Sequence, residues 1–223
     1  MALCVLLNGW CSEGQVMETE PRKSRRDRRR LATRTEILTA ARELLLEVGP
    51  EGLSLRQVAR RADYSPAALY TYFTSRDEIV SSLFVESFER LDVYLRRVPA
   101  GLAPEQRVIE LGVAYMDFAH DNPMDLRCIL LGTSQDLPPS SGQSLGLEAA
   151  RLLGETFREG VEKGVFSSVS GLSATEMAYG TWALVHGLVS ISGIDLTAVA
   201  DEVSAAPHRV LEGYVRLLMA PRA

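Results

Sequence analysis

Three serines spaced ten to eleven residues apart, Ser54, Ser65 and Ser75, constrain this 223-residue chain more than any other feature. Each stands where a helix N-cap is wanted, because a short hydroxyl accepts from backbone N–H groups that the first turn leaves unpaired. After Ser54, the apolar positions Leu55, Val58, Ala59 and Ala62 describe a helix of little more than two turns. Asp63 and Tyr64 make a turn. Ser65 restarts the chain with Pro66 at the first helical position, and Ala67 to Phe73 form a second short helix. Ser75 opens a long third helix whose first turn carries Asp77 and Glu78, as the helix dipole favours. Upstream, Ile37, Leu38, Ala41, Leu44, Leu45 and Val48 recur at three- and four-residue spacing from Thr33 until Gly49 and Pro50 stop the run. A longer helix followed by short helix, tight turn and short helix is the tri-helical helix-turn-helix plan, with the motif over 54–73.

Net charge at first opposes an anionic partner, since 24 basic side chains face 29 acidic ones. The distribution reverses this: residues 1–76 carry 13 basic and 9 acidic groups, net +4, and 77–223 carry 11 and 20, net −9. Eight basic residues and one acid lie between Arg22 and Arg34. Such a block cannot bury itself, so residues 1–30 are expected to be a disordered or half-helical extension, either a solvated tail or an arm adding counterion-release affinity for DNA. Met1 to Val16 match neither the composition nor the periodicity that follows, and Met17 is the expected translation start. A native-host peptide covering Leu3 to Gln15 would overturn that.

On the second short helix, about 100° per residue puts Leu69, Tyr72 and Phe73 on one side and Ala67, Thr71 and Thr74 opposite, with Tyr70 at the flank. One face packs. The other is small and polar at its N-terminal end, which lets a major groove come close. The stretch from Ser54 to Glu78, with its Val58-Ala59, its Leu69-Tyr70-Thr71-Tyr72-Phe73 core and the following Ser75-Arg76-Asp77-Glu78, resembles the DNA-binding domain of TetR-family transcriptional regulators over about Leu31 to Leu91. Asp63 stands where that family usually has Gly, and the turn is expected to survive because Asp tolerates left-handed geometry.

The resemblance implies a recognition helix from Pro66 to Tyr72. It implies DNA contacts at Ser54, Arg56, Ser65, Pro66, Ala67, Tyr70, Thr71, Tyr72 and Arg76. Arg56 would reach a guanine or, alternatively, a phosphate. Tyr70 and Arg76 would bind phosphate, and Ala67 and Thr71 would touch base edges. Tyr72 also has a packing alternative.

Beyond the connecting helix at 75–98, helical patterns run from Pro104 to Ala119, Met124 to Leu131, Ser144 to Glu162, Ser173 to Ser192 and Thr197 to Met219, with a turn-rich and mobile link at 132–142. Strand patterns are absent, so the expected fold is all-α: a three-helix helix-turn-helix domain at 31–91 and a helical ligand-binding and dimerisation domain at 92–223. Trp182, Leu184, Val185, Leu188, Val189 and Ile191 nearly encircle their helix, and a second buried face implies a partner. Asn122-Pro123-Met124, the segment from Glu159 to Val165, and Trp182 to Leu188 resemble the TetR subgroup named for its Trp-His-Gly sequence. The resemblance implies a homodimer that reads a palindromic double-stranded operator.

The expected function is a sequence-specific repressor released by a small, largely apolar effector, whose pocket candidates are Phe88, Tyr115, Met116, Phe118, Phe157, Trp182 and His186. Core packing is the alternative for each. A constitutive or architectural DNA binder, or a dimeric enzyme, are the other classes. Asp117, His120 and Asp121 could hold a metal but read better as a solvated helix end. No nucleotide loop, nucleophile elbow or metal-spaced thiol pair occurs, so neither cofactor nor catalysis is expected. Cys4, Cys11 and Cys128 fit free thiols, and a cytoplasmic protein without membrane span is expected.

Overall fold

The computed structural model describes residues 24–131, 142–167, 171–192 and 206–220. Among them are nine helices and no strand, with one isolated bridge between Phe166 and Met219. The helices are α1 (Arg25–Gly52), α2 (Leu55–Arg61), α3 (Pro66–Leu69), α4 (Arg76–Leu95), α5 (Pro104–Asp121), α6 (Pro123–Leu131), α7 (Gly142–Glu162), α8 (Ala174–Ser192) and α9 (Ala206–Leu218). The all-α expectation holds. Most of the expected mobile link (132–141), the expected start of the last helix (197–205) and residues 1–23 lie outside the described residues.

All three serines cap as expected. Ser54 accepts from the Gln57 N–H, Ser65 from Ala68 and Ser75 from Glu78. Glu78 returns the favour by accepting from both the N–H and the hydroxyl of Thr74 at 2.7 Å. Of the two states expected for the extension, disordered or half-helical, residues 25–30 take the helical one: they are the first turns of α1, because Ser24 and Asp27 form a capping box in which each side chain accepts from the other's backbone N–H.

The turn between α2 and α3 holds Asp63 at φ 59°. The Tyr64 N–H donates to the Ala59 carbonyl at 2.9 Å, so the expected turn is intact without glycine. Left-handed backbone costs an ordinary L-residue roughly 1–2 kcal/mol. Asp63→Gly should therefore raise stability by about 0.5–1 kcal/mol after glycine's extra chain entropy is counted, and Asp63→Val should lower it. Urea unfolding midpoints of the two variants check this, and matching shifts would contradict it.

The recognition segment is shorter as regular helix than expected. After Leu69 the N–H groups of Thr71 and Tyr72 donate three residues back, to Ala68 and Leu69, tightening residues 70–72 into turns. The tighter winding carries Leu69 and Phe73 into the same core, where both are fully buried.

Two hydrophobic clusters result. The first joins Ile37, Leu38, Ala41 and Leu45 of α1 with Val58, Leu69, Phe73 and the N-terminal half of α4, Ile79 to Phe84. The second joins Leu91 and Leu95 of α4 with α5, α7, α8 and α9. Helix α6 is divided between them, since Cys128 belongs to the first cluster and Leu126 and Ile129 to the second. Thus α4 and α6 are both physically continuous with the helix-turn-helix domain, the head, and with the larger helical body.

Candidate nucleic-acid interface and regulatory cavity

With Leu69 and Phe73 anchored inward, the outward surface of the head is Arg56 and Arg60 on α2 and Ser65, Pro66, Ala67, Tyr70 and Thr71 around α3, all exposed. Arg60 is one turn from Arg56, and that four-residue spacing is a signal the sequence reading passed over. Tyr70 is 56% exposed, so its hydroxyl and ring edge are available. Ala67 and Pro66 present no long side chain, leaving the α3 backbone approachable. The Thr71 hydroxyl donates back to the Ala68 carbonyl at 2.7 Å, which leaves its methyl group and oxygen lone pairs for an outside partner.

The other expected contacts are placed differently. Ser54 is half-buried and occupied as a cap, donating also to Gln57 Oε1 at 2.5 Å. Ser65, exposed on the outward surface, also caps, its oxygen accepting from the Ala68 N–H at 3.1 Å. Tyr72 is half-buried against the head core, beneath the Arg30 guanidinium at 5.9 Å from its ring centre. Arg76 lies 3.4 Å from Asp77 and 3.8 Å from Glu51, so a phosphate there competes with two carboxylates.

Behind the head, the joint with the body is ionic. Arg42 of α1, nearly buried, reaches Glu86 of α4 at 2.9 Å and Asp125 of α6 at 3.3 Å. Arg90 of α4 binds the other carboxylate oxygen of Asp125, and the Ser87 hydroxyl donates either to Asp125 Oδ1 or to the Leu83 carbonyl, both at 2.9 Å. These residues were not singled out from the sequence. Arg42 follows Leu38 by four residues and precedes Leu45 by three, so a charge set on the edge of an apolar stripe was the available signal.

In the body, a cavity of about 50 Å³ is lined by Leu95, Leu111, Gly112, Tyr115, Leu153, Trp182 and Val185 among others. Of the expected pocket residues only Tyr115 and Trp182 line it. Phe118 and Phe157 are fully buried in the core, Phe157 against Phe166 at 4.7 Å; Met116 belongs to the same core and the half-buried Phe88 packs against it. His186 adjoins the cavity through its neighbours. Its Nε2 is 3.2 Å from the Tyr115 hydroxyl, and its ring packs at a tilt against Tyr115, 5.0 Å between centres and 32° between planes, and against Trp182, 4.6 Å and 58°. The His186 Nδ1 is buried without a hydrogen-bond partner. Burial raises the Tyr115 hydroxyl above its usual range and lowers the His186 imidazole below its own, so both are neutral at pH 7. Asp117, His120 and Asp121 are exposed at the end of α5, where Asp121 accepts from the Tyr94 hydroxyl at 2.9 Å.

Two outer stripes of the body remain apolar and uncovered. On α8 they are Tyr179, Trp182, Ala183 and Ile191, and on α9 Val210 and Leu217, the last 82% exposed. Gly187 and Gly213 fall on the same two faces, and a methyl group added to either would meet nothing within 4 Å.

Residues 37–83 match the family described as bacterial regulatory proteins, tetR family, and residues 108–214 match the tetracyclin repressor-like C-terminal domain. The chain belongs to the TetR family. The matched description of the second half does not name the Trp-His-Gly subgroup. An HTH-type transcriptional regulator of Mycobacterium tuberculosis is 37% identical over 71 residues, 31% of this chain and 33% of that protein. The HTH-type transcriptional repressor KstR of Mycolicibacterium smegmatis is 37% identical over 76 residues, 34% of this chain and 37% of the repressor. The matched stretch thus spans about a third of the length of these curated relatives. A TetR-family regulatory protein from Rhodococcus RHA1 superposes with a TM-score of 0.68 at 16% identity, covering 85% of this chain and 98% of that one, a likeness of fold. The first match, over residues 37–83, takes in α2, α3 and the exposed residues around them.

Proposed function

We propose that the protein is a dimeric, sequence-specific DNA-binding regulator, a repressor that a small effector releases from its operator. The observation that carries this reading is the exposed small-residue surface of α3, held by a closed core and flanked by arginines. A surface of that shape meets base edges in a major groove, and arginine beside it reads guanine or holds phosphate. TetR regulators as a family bind operator DNA, form dimers and bind small effectors, and they are generally not enzymes. No described helix is long and apolar enough to cross a membrane.

The stripes on α8 and α9 supply the dimer. Two-fold pairing of these faces buries Leu217, Val210 and Tyr179, and the bare Gly187 and Gly213 let helices approach closely. Two heads at fixed separation then read a palindrome. The cavity supplies the control. A benzene-sized guest occupies a cavity of about 150 Å³, so an effector must push the walls of the present 50 Å³ space apart. The named lining carries no charged side chain, which suits a neutral and mainly apolar molecule. Trp182 lines the cavity and is also 48% exposed on the α8 stripe. The ring contacts from Tyr115 through His186 to Trp182 therefore join the effector space to the dimer face, and a guest that moves them alters the spacing of the heads. This cavity favours the responsive reading over a constitutive binder.

Selection from a random duplex pool, repeated with host metabolites, tests the reading as a whole. On the selected operator, Arg56→Ala should relax sequence preference and cost about 1–3 kcal/mol. Arg76→Ala should weaken cognate and scrambled duplexes alike, by a small amount because Glu51 and Asp77 already hold the guanidinium. Equal profiles for the two variants would refute the division of roles.

A further inference from the structure

We propose that the arginine-rich N-terminal end of α1 is a second DNA contact, a rigid helical rail that lies along the phosphate backbone beside each half-site. The inference rests on the DNA-binding reading above.

Helix α1 is regular from Arg25, and Ile37 is its first buried residue. The twelve residues between amount to about 18 Å of helix at 1.5 Å per residue, extending past the head core. Residues 25–34 hold six arginines and one acid, Asp27, whose carboxylate is engaged by Ser24 in the capping box. Arg26, Arg30 and Arg34 follow one another at four-residue steps, and this row continues the line of α1 positions, Ile37, Leu38 and Ala41, that face the head core. Three contacts fix where the row points. The Arg34 guanidinium lies 4.5 Å from the centre of the Phe73 ring and donates to Ser82 at 2.9 Å, and Arg30 lies over Tyr72 at 5.9 Å. Tyr72 and Phe73 end the recognition segment, so the row leaves the head beside the surface that meets DNA.

The energetics favour an anionic occupant. Like charges four residues apart on a helix repel, and exposed residues 24–32 gain no core burial in return. A row of phosphates removes that repulsion and releases condensed counterions. Because the row is carried on a helix tied to Phe73 and Ser82, it contacts the backbone without reading sequence.

The test uses the full-length protein with Arg26→Gln and Arg30→Gln combined, titrated by fluorescence anisotropy against its selected operator and a scrambled duplex over a salt series. A variant with Arg158→Gln and Arg216→Gln, exposed arginines of the body, controls for net charge. Each phosphate contact contributes about 0.9 to the slope of log affinity against log salt. Four contacts per dimer should make the slope shallower by about 3.6, weaken both duplexes by the same factor and leave the specificity ratio unchanged. The charge control should keep the parental slope. An unchanged slope in the double variant, with helix content intact by circular dichroism, overturns the proposal. So does a loss confined to operators with A·T-rich flanks, the mark of a flexible arm in the minor groove. If the parent itself selects no DNA, the DNA-binding reading fails instead.

Discussion

Asp125→Ala should destabilise the folded chain by about 3–5 kcal/mol, the largest single-site loss expected on this protein. The carboxylate is 4% exposed and serves Arg42, Arg90 and the Ser87 hydroxyl at the junction of α1, α4 and α6. Removing it leaves the nearly buried Arg42 with Glu86, and the Arg42 Nε, which already lacks an aligned hydrogen bond, loses the carboxylate 3.3 Å away. The guanidinium cannot neutralise itself, so its desolvation is uncompensated. Asp125→Asn keeps an acceptor and should lose less. Replacing Arg42 and Asp125 together by leucine removes both buried charges and should recover part of the loss. Equilibrium urea unfolding of the three variants and the parent checks the order. An Asp125→Ala variant within about 0.5 kcal/mol of the parent would show the cluster to be solvent-relaxed and energetically idle.

Leu217→Glu should leave each chain folded and separate the dimer. The side chain is 82% exposed in the single chain, so glutamate costs the monomer little, whereas two-fold pairing brings both carboxylates into an apolar contact. Sedimentation should show a monomer. Affinity for the full palindrome should fall by at least about 100-fold, since two linked half-sites gain roughly that much from effective concentration, while affinity for a single half-site should hardly change. A variant that stays dimeric with parental operator affinity would place the dimer face elsewhere.

The two sites differ in how visible they were beforehand. The reading head is assembled by short-range rules: Ser54, Ser65 and Ser75 each cap through a residue three places on, and Pro66 starts its helix by its fixed φ. Signals of that range are legible without a structure, and so was the inward pairing of Leu69 with Phe73. At 25–30 the helix start rests on Ser24 and Asp27, three residues apart, a capping signal of the same short range. In the body, the aromatic residues were named and their neighbours were not. Tyr115 and Phe118 are three residues apart on α5, yet one lines the cavity and the other fills the core, because α7, α8 and α9 cover the two sides of that helix differently.

By itself, then, the sequence determined the helices, their caps, the helix-turn-helix and the outward face of α3, because each follows from hydrogen bonds and apolar periodicity within one or two turns. Tertiary structure alone decided the ion cluster that joins Arg42 to Asp125, 83 positions apart, and the division of α6 between two cores. It also decided the bridge from Tyr115 through His186 to Trp182. Contacts of that separation have no period along the chain. They arise only when packed helices exclude water from groups that local rules leave free.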